Sequence, residues 1–184
     1  LNDGLKSEGA QWLKAAAAGV ILFAFIRTFF FTSYIVEGES MMPTLEEGNK
    51  LVVYKIGFHP EELERFDVIV FHANKKEDYV KRVIGLPGDQ IEYRDDELFI
   101  NGKKVDEPFL EKYRAKVFNG SLTGNFTLEE ITGKKKVPEG QLFVMGDNRH
   151  GSWDSRHFGY IPVKEVVGKV NLRYWPLEEL DMSF

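Results

Sequence analysis

The sequence predicts a mainly β protein, with an N-terminal transmembrane helix followed by an all-β domain. Three observations carry that reading. A single charge-free apolar run, Ala15–Ile26, lies near the N-terminus. Beyond it come short β-branched and aromatic runs, separated by Gly, Pro and Asn-Gly signals. No later stretch holds a long helical period, so strands must build the rest. The 184 residues suit one globular domain with some chain left for an anchor.

Residues 1–11 form a short polar N-terminus of mixed charge. The apolar run alone rises roughly 18 Å, against about 30 Å of hydrocarbon. Its flanks lengthen it. Lys14 and Arg27 can snorkel outward, and Trp12 at one end with Phe29, Phe30, Phe31 and Tyr34 at the other read as interfacial aromatic belts. The expected span is 12–33. No small-x-small site follows the apolar core, so the segment reads as an uncleaved anchor rather than a signal peptide. Lys6 and Lys14 lean towards an inside N-terminus. The chain from Tyr34 to Ser40 can reach at most about 20 Å, which keeps Ser40 near the lipid.

Residues 34–184 are expected to form the β-domain. Its strands read as Lys50–Tyr54, Asp67–His72, Tyr79–Ile84, Gln141–Met145 and Val166–Trp175. Gln90–Tyr93 and Glu97–Ile100 flank Asp95-Asp96 as a hairpin, and Asn101-Gly102 gives a second turn. Residues 103–140 carry Lys134-Lys135-Lys136, several Gly and few regularly spaced apolar residues. They read as a peripheral, variable insertion, with the lysine run as a solvated turn or a contact for anionic headgroups.

A net charge of −5 with both signs interspersed argues against a nucleic-acid partner. The absence of cysteine excludes disulfides, thiolate zinc sites and a cysteine nucleophile. Three stretches hold candidate chemistry. Gly38-Glu39-Ser40-Met41-Met42-Pro43-Thr44-Leu45 places a serine directly after the anchor, on backbone stiffened by Pro43. Tyr79 to Asp89 contains Lys81-Arg82, and Gly146 to Arg156 contains two aspartates, two serines and His150, with His157 directly after it. A serine needs a base. His59 and His72 look incidental, whereas His150 or His157 with Asp154 leaves a Ser-His-Asp triad open. Lys81 is the other candidate. On a strand it shares a face with Tyr79 and Val83 and with no carboxylate, and burial there can depress a lysine by roughly 3–5 pH units. Arg82 stays protonated and cannot serve as a base.

The three stretches, in this order behind an apolar anchor, resemble the bacterial type I signal peptidases, which remove signal peptides from exported proteins. The resemblance covers nearly the whole chain. It implies Ser40 as nucleophile and Lys81 as general base, with Ser152 orienting the lysine amine. It implies structural ion pairs from Asp147, Asp154 and Arg156, with Arg82 as a partner. The Ser40 backbone N–H would bind the oxyanion. Many relatives add a hydroxyl two residues earlier, where this chain has Gly38, so the second donor is left open. Val36, Met41, Leu45, Tyr79 and Val80 match the family's pocket positions, although Met41 and Leu45 could equally be plain core. The substrate implied is a preprotein signal peptide with small residues one and three positions before the cut, bound by strand addition. No metal or cofactor is implied. The localisation implied is a single-pass membrane protein with its N-terminus in the cytoplasm and its catalytic domain outside, meeting membrane lipid and the secretion machinery. Two alternatives stand beside it. A self-cleaving repressor-like protease would share dyad and fold but needs a DNA-binding module, which residues 1–35 do not contain. An inactive tethered β-domain would tolerate loss of Ser40 or Lys81.

Overall fold

The computed structural model describes the backbone of residues 2–54, 62–114 and 120–182, with side chains described there except at 2–10, 26–31, 54 and 112. Helix α1 (Asn2–Phe30) runs directly into strand β1 (Phe31–Ile35). The strands that follow are β2 (Lys50–Tyr54), β3 (Val68–His72), β4 (Asp78–Gly85), β5 (Ile91–Arg94), β6 (Glu97–Ile100), β7 (Lys103–Val105), β8 (Phe126–Thr127), β9 (Gln141–Met145), β10 (Ile161–Pro162) and β11 (Val166–Trp175). Three short helices, α2 (Glu111–Arg114), α3 (Leu128–Thr132) and α4 (Ser155–Phe158), sit between strands.

The mainly β class holds. Seven strands pair antiparallel in the order β1-β2-β11-β3-β4-β9-β10, and four more in the order β7-β6-β5-β8. The β5–β6 turn has Asp95 and Asp96 both at positive φ, the geometry a two-residue hairpin requires. One apolar cluster joins the sheets, with Ile84, Phe143 and Met145 of the larger packed against Ile91, Tyr93, Leu98 and Ile100 of the smaller. A second, of Val36, Met41, Leu45, Leu51, Val53, Val68, Val70 and Val170, lies behind the loop that carries Ser40.

Two expectations change. The described side chains of α1, residues 11–25, cover only about 22 Å of rise. Among the described residues no helix is long and apolar enough to cross a membrane. Arg27, Phe29, Phe30 and Phe31, which marked the far edge of the expected 12–33 span, lie outside the described side chains, and residues 31–33 are strand. Trp12, Leu13, Val20, Ile21, Leu22, Phe23 and Phe25 are nevertheless exposed.

The second change concerns 103–140. It contributes β7 and β8 to the smaller sheet, and Glu107, Leu110, Leu122, Phe126, Leu128 and Val137 are all buried. Apolar residues too widely spaced to show a period still reach one core, because the chain doubles back over the sheet. The α3 N-terminus is fixed by a capping box between Thr127 and Glu130. His59 and Lys112 lie outside the described side chains.

Candidate active site

Ser40 leaves β1 by a turn at Gly38, whose φ of +80° suits glycine. The loop is anchored from below by Met41 and Leu45, both buried, and is followed by a cis Met42–Pro43 bond. Lys81 comes from the middle of β4, opposite Ile69 of β3. The Lys81 Nζ lies 2.7 Å from Ser40 Oγ and 3.1 Å from the Val80 carbonyl oxygen. Its residue is only 4% exposed, and the Tyr79 ring centroid is 5.3 Å from the amine. Burial pulls the Lys81 pKa down to about 8, although Asp154 and Asp147 pull the other way. Neither carboxylate bonds to the amine, because each is occupied by an arginine.

Arg82 grips Asp147 through two bonds, Nε–Oδ1 at 2.9 Å and Nη2–Oδ2 at 2.7 Å. Its third nitrogen donates to the Phe66 carbonyl, and its guanidinium stacks on Phe109 at 4.0 Å. The Thr44 hydroxyl donates to the same carboxylate, tying the nucleophile loop to the pair. Arg156 holds Asp154 in the same bidentate way, at 2.9 and 2.8 Å, and Asp154 also accepts the Gly146 N–H at 3.0 Å. These bonds keep Asp154 ionised below the usual carboxylate range despite its burial.

The backbone of the third stretch presses against the nucleophile. A Cβ on Gly146 would sit 2.3 Å from the Ser40 carbonyl oxygen and 2.3 Å from Ser152 Oγ, so only glycine fits. Ser152 is buried, and its hydroxyl lies beside the Asp154 carboxylate. It sits close by, but the amine's bonds go to Ser40 and Val80. Among the described residues nothing accepts the Ser40 N–H, which is left available to a substrate oxygen.

Among the described residues, His72, His150 and His157 are placed elsewhere. His150 Nε2 meets the Ser121 carbonyl oxygen at 2.9 Å, and His157 stacks on Trp153. His72 pairs with Asp78 at 2.6 Å. The Ser-His-Asp alternative therefore fails on geometry, since the Ser40 hydroxyl is already engaged by Lys81. Of the expected pocket residues, Val36, Met41, Tyr79 and Val80 line the cleft of about 560 Å³ that contains Ser40 and Lys81. Leu45 does not; it is fully buried in the core behind the loop.

Sequence reasoning missed Asn148 and Tyr113. The Asn148 N–H donates to the Ser40 carbonyl at 3.1 Å, and its side-chain amide donates to the Glu39 carbonyl at 3.1 Å. Its Oδ1 accepts the Tyr113 hydroxyl at 2.5 Å. The smaller layer thus reaches the nucleophile loop through one asparagine. Beside it, fully buried Arg149 donates to Glu107, Tyr93 and Thr123. Asn148 lies within the third stretch, but an asparagine there reads as a turn residue, so its contact with the Ser40 loop carried no signal of its own.

Comparison with known proteins gives the family. The family described as "Signal peptidase, peptidase S26" matches residues 9–175. The chain is 56% identical over 179 residues to signal peptidase I of Bacillus caldolyticus, covering 97% of each. It is 43% identical over 185 residues to signal peptidase IB of Staphylococcus aureus, covering 98% of this chain and 96% of that one. A crystal structure of a signal peptidase I from Enterococcus faecalis superposes with a TM-score of 0.56 at 45% identity, over 59% of this chain and 96% of that one. The chain belongs to the signal peptidases of the S26 family, a family of serine endopeptidases.

Proposed function

We propose that this signal peptidase cuts preproteins with a Ser40–Lys81 dyad, after small-x-small (Ala-x-Ala) sites, at a membrane surface. The observation that carries the proposal is the 2.7 Å approach of a buried amine to one hydroxyl. A lysine with a pKa of about 8 is neutral in an appreciable fraction near neutral pH, and a neutral amine can accept the serine proton.

Ser40 Oγ attacks the scissile carbonyl carbon as its proton passes to Lys81 Nζ. The negative charge that develops on the carbonyl oxygen is met by the Ser40 N–H, and Gly38 lets a second backbone donor approach. The resulting Lys81 ammonium gives its proton to the leaving nitrogen as the C–N bond breaks. An acyl-enzyme on Ser40 remains. Lys81, neutral again, takes a proton from water, whose oxygen attacks the ester carbonyl, and then returns it to Ser40 Oγ as the acid is released. Ser152, buried next to the pair, is the hydroxyl that would receive the amine when it turns away from Ser40. Arg82–Asp147 and Arg156–Asp154 act as positioning pairs that keep carboxylates from the amine.

The substrate lies extended between the 34–41 and 76–81 walls, adding a strand. Val36, Met41, Tyr79 and Val80 are the cleft walls that would select small side chains before the cut. Exposed apolar residues on α1 support lipid contact, with the domain extracytoplasmic and the N-terminus inside. The chain beyond Phe30 keeps Ser40 within about 35 Å of the helix end, even when extended. Secretion machinery would deliver the substrate there.

The test uses the purified full chain in detergent with a preprotein whose signal ends in Ala-x-Ala. Cleavage at that site by the parent, and none by Ser40→Ala or Lys81→Ala, is expected. Cleavage that survives in Lys81→Ala would assign the base elsewhere.

A further inference from the structure

Beyond the rim formed by Tyr79 and Trp153, the dyad cleft gives way to a second cavity of about 750 Å³. Its walls are aromatic: Phe71, Tyr79, Trp153, Phe158 and Tyr160. The base is firmly built, since Phe71 is 1% exposed and its ring lies 6.1 Å from Tyr79 and 6.4 Å from Phe158. Trp153 is 61% exposed yet held in place. It stacks on His157 at 4.4 Å, and its sequence neighbours Ser152 and Asp154 are buried. With Tyr79 5.3 Å from the Lys81 amine, this cavity starts one side chain away from the reacting atoms. No step of the dyad chemistry uses it.

The dyad cleft has two long walls, 34–41 and 76–81, with Gly151 and Trp153 added near the reacting pair. A polypeptide attacked by Ser40 fills the groove on one side of the cut and must pass Trp153 on the other. An extended chain advances about 3.3 Å per residue with side chains alternating in direction. A residue within two positions of the cut therefore turns its side chain towards the second cavity. The walls offer ring faces, with charge confined to Lys75 and Glu165, so an apolar or aromatic group is favoured over a charged one.

We propose that this cavity is a subsite for one bulky apolar or aromatic side chain of the polypeptide substrate, within two residues of the scissile bond, with Trp153 as its shared wall. The proposal rests on the peptidase reading above. The experiment compares kcat/KM of the full chain in detergent on peptides that share one cut sequence and differ only by Gly or Phe at a single position near the cut. At one position within two residues of the cut, Phe is expected to exceed Gly by about tenfold. Trp153→Ala, which removes the wall, and Lys75→Trp, which plugs the exposed mouth, should each bring that ratio to within about twofold. Absence of any such position, or a ratio that persists in either variant, overturns the subsite. Failure to cleave any peptide overturns the peptidase reading itself, and the subsite with it.

Discussion

Lys81 and Arg82 are neighbours on one strand, each 4% exposed, and the fold treats them in opposite ways. Arg82 points into a ready-made counter-ion, with Asp147 bound twice, a carbonyl on its third nitrogen and a ring against its face. Lys81 points to a hydroxyl and a carbonyl, with the nearby carboxylates already taken by arginines. Burial is equal, so the difference in character comes from the side chain's own chemistry and from its partners. One cation is made permanent and structural. The other is kept easy to discharge, which is what a general base needs.

That contrast can be broken from either side. The largest effect is expected from Asp147→Ala, which leaves a buried guanidinium without its carboxylate and should cost about 3–5 kcal/mol of stability in denaturant unfolding. Lys81→Met should do the reverse. Holding a buried ammonium whose pKa has fallen from 10.5 to about 8 costs about 3 kcal/mol while it is charged. The sign follows from proton binding. The unfolded state binds more protons between pH 8 and 10.5, so the parent gains stability as pH rises through that window. Lys81→Met should therefore be inactive and more stable at pH 7, with the gain vanishing above about pH 10.5.

Smaller changes sharpen the comparison. Gly146→Ala drives a methyl into the Ser40 carbonyl, and overpacking of this kind costs about 1–3 kcal/mol. Its activity should fall more than its stability, because the displaced atom belongs to the nucleophile. Tyr113→Phe removes one hydrogen bond on Asn148, worth about 1 kcal/mol. A drop in kcat with KM nearly unchanged would assign that bond to positioning of the Ser40 loop.

Much of this was legible in the sequence. The β2, β9 and β11 strands begin and end where their β-branched runs do, because alternation and turn residues agree there. Ser40 and Lys81 were legible as candidates in an ordered set of motifs, and the distance between them needed the fold. The strand β1 was hidden because Phe31 and Tyr34 look like the aromatic edge of an apolar run. Strands β8 and β10, at two residues each, are too short to show a period. In 103–140 the buried residues stand far apart, and the short helix capped by Thr127, Glu130 and Gly133 went unread. Leu45 matched a pocket position by motif, but burial behind the loop decided its place.

The central claim concerns the protonation state of one amine, and it can be observed directly. The full chain, labelled with carbon-13 at the lysine ε-carbons and assigned against Lys81→Met, would be titrated in detergent by NMR. The account predicts that the Lys81 signal titrates near pH 8 and that the rate of Ser40 acylation rises with the same midpoint. A Lys81 signal that titrates near 10.5, with acylation already at full rate below pH 7, would contradict it.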